Sequence, residues 1–469
     1  MDLSKYTDSI IKTIQTLVQI KTVEDTPVPG GPFGKGNKEC LEKALEIAAS
    51  LGFRVKNLDG YCGYAEIGDG DELVGIVGHL DVVPEGEGWK YPPYSGTLVD
   101  GEIWGRGSID DKGPIVISLY AIKALMDSGF KFNKRVRVIF GCNEESGSRC
   151  MEHYLKVDEP ISYGVSPDAE FPVIFAEKSI NNIRLHGKAK NSGMVTLKSF
   201  NAGIVINAVP DKCKFVLEYG CDKCKARVMN HIKETLEKNN IKFEFVDENN
   251  TLTYTVFGKA AHGSVPQYGI NAGSYAIDAL FGEIDDDFVN FYHEVIGLGV
   301  HGEKMGCFIE DEYGPIACNV GIVKYENNEF NILINSRLPF NITSDEMINR
   351  VRNTISKYDF VTLDLLGSSQ GFIMDKESPM IKALVKAYRD VTGDMKTEPI
   401  CCAGGTYARE FSNCVAFGPE MNGYGEMIIH QPNERLSVKA VEDIMKIYYQ
   451  AYKDLIEKVS FKKWKNYYW

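Results

Sequence analysis

An α/β fold is what this sequence predicts: a layered domain with a largely parallel sheet, interrupted by an inserted α+β domain. Three observations predict it. Short apolar runs alternate with helical stretches over residues 1–179. Those runs end abruptly in histidine or paired carboxylates. The texture then changes over residues 180–373, which hold more isolated strand-like runs, and reverts over residues 374–469. A chain of 469 residues exceeds the roughly 100–200 residues of one domain, so a discontinuous first domain (1–179 and 374–469) with an insert (180–373) is expected.

The elements follow in order. Met1–Ile20 reads as an amphipathic helix, with none of the apolar core and small-residue ending of a secretory leader. Leu41–Leu51 is a second helix, stopped by Gly52. Leu73–Gly78 is a continuous apolar run that fits a buried strand. Pro114–Ser128 is a helix stopped by Gly129, Arg135–Gly141 a strand, and Tyr163–Val165 another. In the insert, Thr251–Phe257 and Phe330–Ile334 read as strands. A helix at Pro379–Val391 and the stretch Cys401–Glu434 return the chain to the first domain. The tail Phe461–Trp469 is short, basic and aromatic, and reads as a docked or frayed end.

Composition narrows the function. Hydrophobic content of 44% and charged content of 25% are those of a globular protein. A net charge of −13 argues against nucleic acid or an anionic membrane as partner. No apolar run reaches the roughly 18–20 residues of a membrane span. The 12 cysteines show no compact disulfide spacing, so reduced thiols and a cytoplasmic location are expected. Cys221 and Cys224 form a C-x₂-C pair without a partner pair at zinc-ribbon spacing, and are expected to be ordinary reduced cysteines.

The chemistry sits where the apolar runs end. In open α/β sheets, ligands bind beyond the carboxyl ends of the strands. His79 and Asp81 follow one run, Glu144 and Glu145 the next, and Asp168 and Glu170 the third. Gly105-Arg106-Gly107-Ser108-Ile109-Asp110-Asp111 precedes a helix but lacks the Gly-Lys-Ser/Thr ending of a phosphate loop. His430 lies in the stretch EMIIHQPNE (426–434). Each alone has a bland reading: a satisfied core histidine, a helix cap, a solvated acidic turn. Together, His79, Asp110, Glu145, Asp168 and His430 are a sensible ligand set for two divalent ions sharing a carboxylate bridge. Such ions lie roughly 3.5–4 Å apart and clamp an oxygen nucleophile. Glu144 is then placed to act as general base toward the attacking water, and Asp81 to orient the His79 ring.

These stretches resemble the metallopeptidase family that includes aminoacylase, carboxypeptidase G, succinyl-diaminopimelate desuccinylase, carnosinases and PepV-type dipeptidases. The likeness is carried by GHLDVVPEGEGW (78–89), DGEIWGRGSIDDKGP (100–114), GCNEESG (141–147), SPDAEFP (166–172), GKAAHGSVPQYGINA (258–272) and GGTYARE (404–410). SPDAEFP, GGTYAR and the doubled Asp110-Asp111 look most like the PepV-type branch. The resemblance implies a zinc-exopeptidase-like catalytic domain. His79 and Asp168 would hold one ion, Glu145 and His430 the other, and Asp110 would bridge them. It also implies a cis peptide between Asp110 and Asp111, and makes the insert a substrate-capping lid. His262 would stabilise the oxyanion, Asn207 and Arg337 would contact substrate, and Gly404, Gly405 and Thr406 would offer it backbone groups. Arg337 follows Asn-Ser where many relatives have an acidic residue, which leaves its local geometry open.

The expected activity is a metal-dependent dipeptidase with two divalent ions, zinc first and manganese or cobalt as alternatives. It is expected to act on small peptides as a monomer, with a homodimer as the other possibility. An N-acyl amino acid deacylase or desuccinylase would use the same metal motifs. A non-catalytic, metal-dependent peptide-binding protein is the third reading.

Overall fold

A computed structural model of the chain describes residues 2–421, 423–424 and 428–460. The tail at 461–469 and Glu426 and Met427 of the His430 stretch lie outside the described residues. The chain divides into two compact units. One comprises residues 1–177 and 372–469, the other Lys178–Gly371.

The first unit is built on a mixed sheet that is parallel through its centre. Arg135–Gly141, Leu73–His79, Tyr163–Ser166 and Cys414–Ala416 lie side by side, each parallel to its neighbour. The flanks, Arg54–Leu58 and Cys62–Ile67 on one side and Ile174–Glu177 with Phe372–Ile373 on the other, pair antiparallel. Leu73–His79 is buried at every position, as a central strand covered on both faces must be. The helix Lys112–Asp127 packs on it, and in turn contacts Thr7–Val18 and the long helix Val438–Lys458. Helix Thr7–Val18 turns Ile10, Ile14, Leu17 and Val18 inward, the spacing of one helical face.

The second unit is an antiparallel sheet of eight strands. Its order is Lys242–Glu248, Thr251–Phe257, Lys212–Tyr219, Val195–Ala202, Ala317–Glu326, Glu329–Leu338, Ser179–Lys188 and Val361–Ser369. Thr251–Phe257 and Ser179–Lys188 alternate buried and half-exposed residues, so one face is covered. The core joins Phe200, Phe215, Tyr254 and Ile332 of the sheet to Val228, Ile277 and Val351 of the helices Asp222–Lys238, Ala272–Leu280 and Ser344–Ile355.

One expectation is overturned here. Cys221 and Cys224 are joined by a disulfide rather than reduced. Cys221 caps the helix Asp222–Lys238, its sulfur accepting the Cys224 N–H. The first helical turn thereby brings the two Cα atoms to 5.5 Å, within bonding reach. No helix among the described residues is long and apolar enough to cross a membrane.

Candidate dinuclear metal site

The three neighbouring parallel strands set the site. His79 ends its strand opposite Gly141 of the next, so the Asn143–Glu145 turn emerges beside it. Asp168 follows the third strand, two residues beyond Ser166. Gly78 must be glycine, because a Cβ there would lie 2.2 Å from Asp111 Oδ2. That oxygen accepts the His79 N–H at 3.0 Å and pins the strand end.

His79 is fully buried. Its Nε2 lies 2.9 Å from Asp110 Oδ1 and 3.7 Å from Asp168 Oδ2. His430 Nε2 lies 2.9 Å from the other Asp110 oxygen and 3.2 Å from Glu145 Oε1. Asp110 thus stands between two histidines, each with a second carboxylate beside it. Donor atoms of His79, Glu144 and Asp168 lie within 4.8 Å of one another, as do those of His79, Asp110 and Glu145. His430 holds a left-handed backbone, φ 60°, which is uncommon for a side chain with a Cβ. The peptide between Asp110 and Asp111 is cis.

The Asp81 carboxylate accepts the N–H groups of both Glu144 and Glu145, each at 3.0 Å, and so shapes the turn that presents them. His79 Nδ1 instead meets the main-chain oxygen of Asp81 at 2.9 Å, with the carboxylate at 3.6 Å. The ring is held through the backbone of Asp81 more closely than through its side chain.

Electrostatics mark the site as built for cations. Burial, then the charges of Asp110 and Glu145, push Asp168 up to about 7 against the pull of His79. Burial, then Asp168, also raises Glu144 well above the carboxylate range. Asp110 goes the other way: burial would raise it, but hydrogen bonds from His430 and His79 hold it far below. His430 is lifted to about 11, because Asp110 and Glu145 outweigh its burial. Among the described residues, the ion pairs of Asp110, Glu145 and Asp168 are with the two histidines alone. Crowded carboxylates facing imidazole nitrogens, without lysine or arginine, fit divalent metal as the missing counter-charge.

The model of Peptidase family M20/M25/M40 matches residues 75–454, which include every one of these positions. The chain belongs to this family. It is 35% identical over 464 residues to a Staphylococcus haemolyticus protein and over 459 residues to a Bacillus subtilis protein, both named "Putative dipeptidase"; each alignment covers 96% of this chain and 97% of the relative. Its fold is similar to that of human carnosine dipeptidase 1, with a TM-score of 0.57 at 16% identity over 97% of this chain and 98% of that one. As a member of the M20 metallopeptidases, the chain is a hydrolase, and these residues form its candidate site for divalent metal.

The remaining predicted residues are held in local networks. In the loop GGTYARE (404–410), the buried Glu177 carboxylate accepts Thr406 Oγ at 2.8 Å, the Thr406 N–H at 3.3 Å and Arg409 Nε at 3.0 Å. Gly404 donates to Cys402 Sγ at 3.0 Å and accepts from Arg409 at 2.8 Å, while Gly405 is the exposed residue of the three. In the second unit, Asn207 and His262 are exposed on adjoining segments that meet through an Ala208–His262 bridge. His262 Nδ1 meets Ser264 Oγ at 2.6 Å. Arg337 is buried in the strand Glu329–Leu338, its Nε donating to Asn335.

Two supports went unread in the sequence. Asn319 is buried and donates to the carbonyls of Ile206 and Ala208, at 2.9 and 3.0 Å, on either side of Asn207. Glu434 is buried against the Asp110 loop. A lone asparagine in a strand carries no signal; the Glu of HQPNE stood four residues from His430 and could have been noticed.

Proposed function

We propose that the chain is a dipeptidase that hydrolyses the amide bond of short peptides with water activated by two divalent ions, zinc first and manganese or cobalt as alternatives. The observation that supports it most is the convergence of two histidines and four carboxylates on one point at the carboxyl ends of parallel strands. The dipeptidase names of relatives aligned over 96% of the chain favour dipeptides over other amides.

His79 and Asp168 would hold one ion, Glu145 and His430 the other, with Asp110 between them. When bound, the ions would supply Lewis acidity, polarising the scissile carbonyl and acidifying water. Glu144, half-buried beside Asp168, would take the proton of the attacking water and pass it to the leaving amine. His262 would donate to the developing oxyanion. Asn207 and Arg337 would contact substrate, Arg337 by offering its guanidinium to the C-terminal carboxylate. Gly404, Gly405 and Thr406 would line the peptide backbone. The second unit would act as the substrate-capping domain, and the protein as a cytoplasmic monomer.

The test is a panel of dipeptides beside matched N-acetyl and N-succinyl amino acids, with metal-stripped protein resupplied with Zn²⁺ or Mn²⁺. Metal-dependent cleavage of the dipeptides supports the reading. Cleavage of the acylated compounds alone makes the protein a deacylase, and silence on both removes the catalytic reading.

A further inference from the structure

We propose that Glu434 is a positioning residue for the dinuclear site: its carboxylate templates the loop that presents Asp110 and thereby sets the affinity for the ion pair. The inference rests on the reading of Asp110 as the bridging ligand.

Glu434 is fully buried, at 0% exposure. Its Oε1 accepts three loop donors: the N–H groups of Gly107 at 2.9 Å, Ile109 at 3.1 Å and Asp110 at 3.3 Å. Its Oε2 takes Arg106 Nη1 at 2.7 Å, and its main-chain oxygen accepts the Gly105 N–H at 3.0 Å. The segment from Gly105 to Asp110 is therefore wrapped around one side chain that arrives from a remote stretch of the chain.

Burying a carboxylate is expensive unless hydrogen bonds replace its water, and charge-assisted N–H bonds do so most effectively. The relation is reciprocal. Those three N–H groups serve no helix or sheet, so without Glu434 they would be left buried and unmade. Glu434 belongs to neither group of candidate metal donors, so its burial answers no ligand requirement of its own.

The network reaches further. Arg106 also donates to the carbonyls of Pro84 and Glu85, both at 3.3 Å, and its guanidinium lies 5.4 Å from the Trp89 ring. One carboxylate and one guanidinium thus join the stretch after Asp81, the loop before Asp111 and the strand Arg435–Ser437 that follows His430. One of these stretches carries Asp110, and the other two adjoin His79 and His430 in sequence. A ligand on such a loop is only as well aimed as the loop, and residues that orient ligands typically carry 10–100-fold in metal affinity.

The test uses the full chain, stripped of metal, as wild type, Asp110→Asn, Glu434→Gln and Glu434→Asp. Mn²⁺ affinity is read by chelator competition, and the ion pair by the electron paramagnetic resonance of the Mn²⁺-loaded protein. Folded Glu434→Gln should bind Mn²⁺ roughly 10–100-fold more weakly, and the spin-coupled signal should give way to that of isolated ions. Glu434→Asp keeps the charge but shortens the reach, and should fall between wild type and the glutamine variant. A strut with no positioning role would lower the melting temperature and leave both metal readouts at wild-type values, which overturns the proposal. Should the glutamine variant fail to fold, wild-type affinity and coupling in Glu434→Asp overturn it equally. If Asp110→Asn binds Mn²⁺ as wild type does, the ligand reading itself has failed. If Asp110→Asn loses affinity and Glu434→Gln does not, only the positioning role has failed.

Discussion

Glu144 sits where two carboxylates would repel it. Asp168 lies within metal-ligand distance, Glu145 is its chain neighbour, and burial adds to both. A base in that position is poised by the charges around it, so Glu144→Gln should retain both ions while turnover falls by roughly 10²–10⁴. Elemental analysis beside a rate assay checks this, and near-wild-type turnover would remove Glu144 from its role. For His262→Ala, kcat should fall by roughly 10²–10³ with metal content unchanged; loss of metal instead would show that the side chain is a ligand. The convergence at this scale was legible in the sequence, because few residue types can serve as metal donors and His79, Asp110, Glu145, Asp168 and His430, all of such types, lie together in the structure. Supporting roles were not. Asp81 was read as a carboxylate orienting a ring, yet its carboxylate grips the Glu144 and Glu145 amides and its carbonyl meets the ring. Main-chain partners leave no trace in side-chain identity.

Elements carry the second set of expectations. The strand Ala317–Glu326 places Asn319 against the loop around Asn207, and two hydrogen bonds hold that loop in register with His262. Asn319→Ala leaves both carbonyls unsatisfied, which costs about 1–3 kcal/mol. Denaturant unfolding should show that loss, and KM for a dipeptide should rise more than kcat falls. An unchanged KM would disconnect the loop from substrate binding. Elsewhere in the same unit, burial pushes Asp286 up to about 6, although the N–H groups of Phe288 and Val289 and the Tyr325 hydroxyl favour its charged form. A carboxyl raised on folding binds more protons in the native state between its unfolded value, about 4, and 6. Its contribution to stability is therefore fully present below pH 4 and lost as pH rises to about 6. The difference in stability between wild type and Asp286→Asn should change across that window and be flat above it; a flat difference throughout would contradict the shift. Strand and helix periodicity made several elements readable, with Arg135–Gly141 and Thr251–Phe257 falling where the pattern put them. The Cys221–Cys224 bond was missed because spacing alone does not say that a helix cap will bring two sulfurs together.

At the scale of the whole molecule, the chain leaves one unit at Glu177 and returns at Phe372. In the sequence the boundaries fall at 179/180 and 373/374, on a change of texture from apolar runs with charged endings to isolated strand-like runs. The sheet of the first unit is parallel only through its centre, and its antiparallel flanks at Arg54–Ile67 and Phe372–Ile373 were not read. The outermost strands, Arg54–Leu58 and Phe372–Ile373, lack the full burial that marked the central ones. The charged endings of the central strands are what make the molecule a candidate two-metal enzyme. The direct measurement is a titration of the metal-stripped chain with Zn²⁺ or Mn²⁺ while the hydrolysis of one dipeptide is followed. Activity that rises from nothing to a plateau at two ions per chain is the predicted result. Full activity in the presence of excess chelator, or uptake of two ions without hydrolysis of any dipeptide, would contradict it.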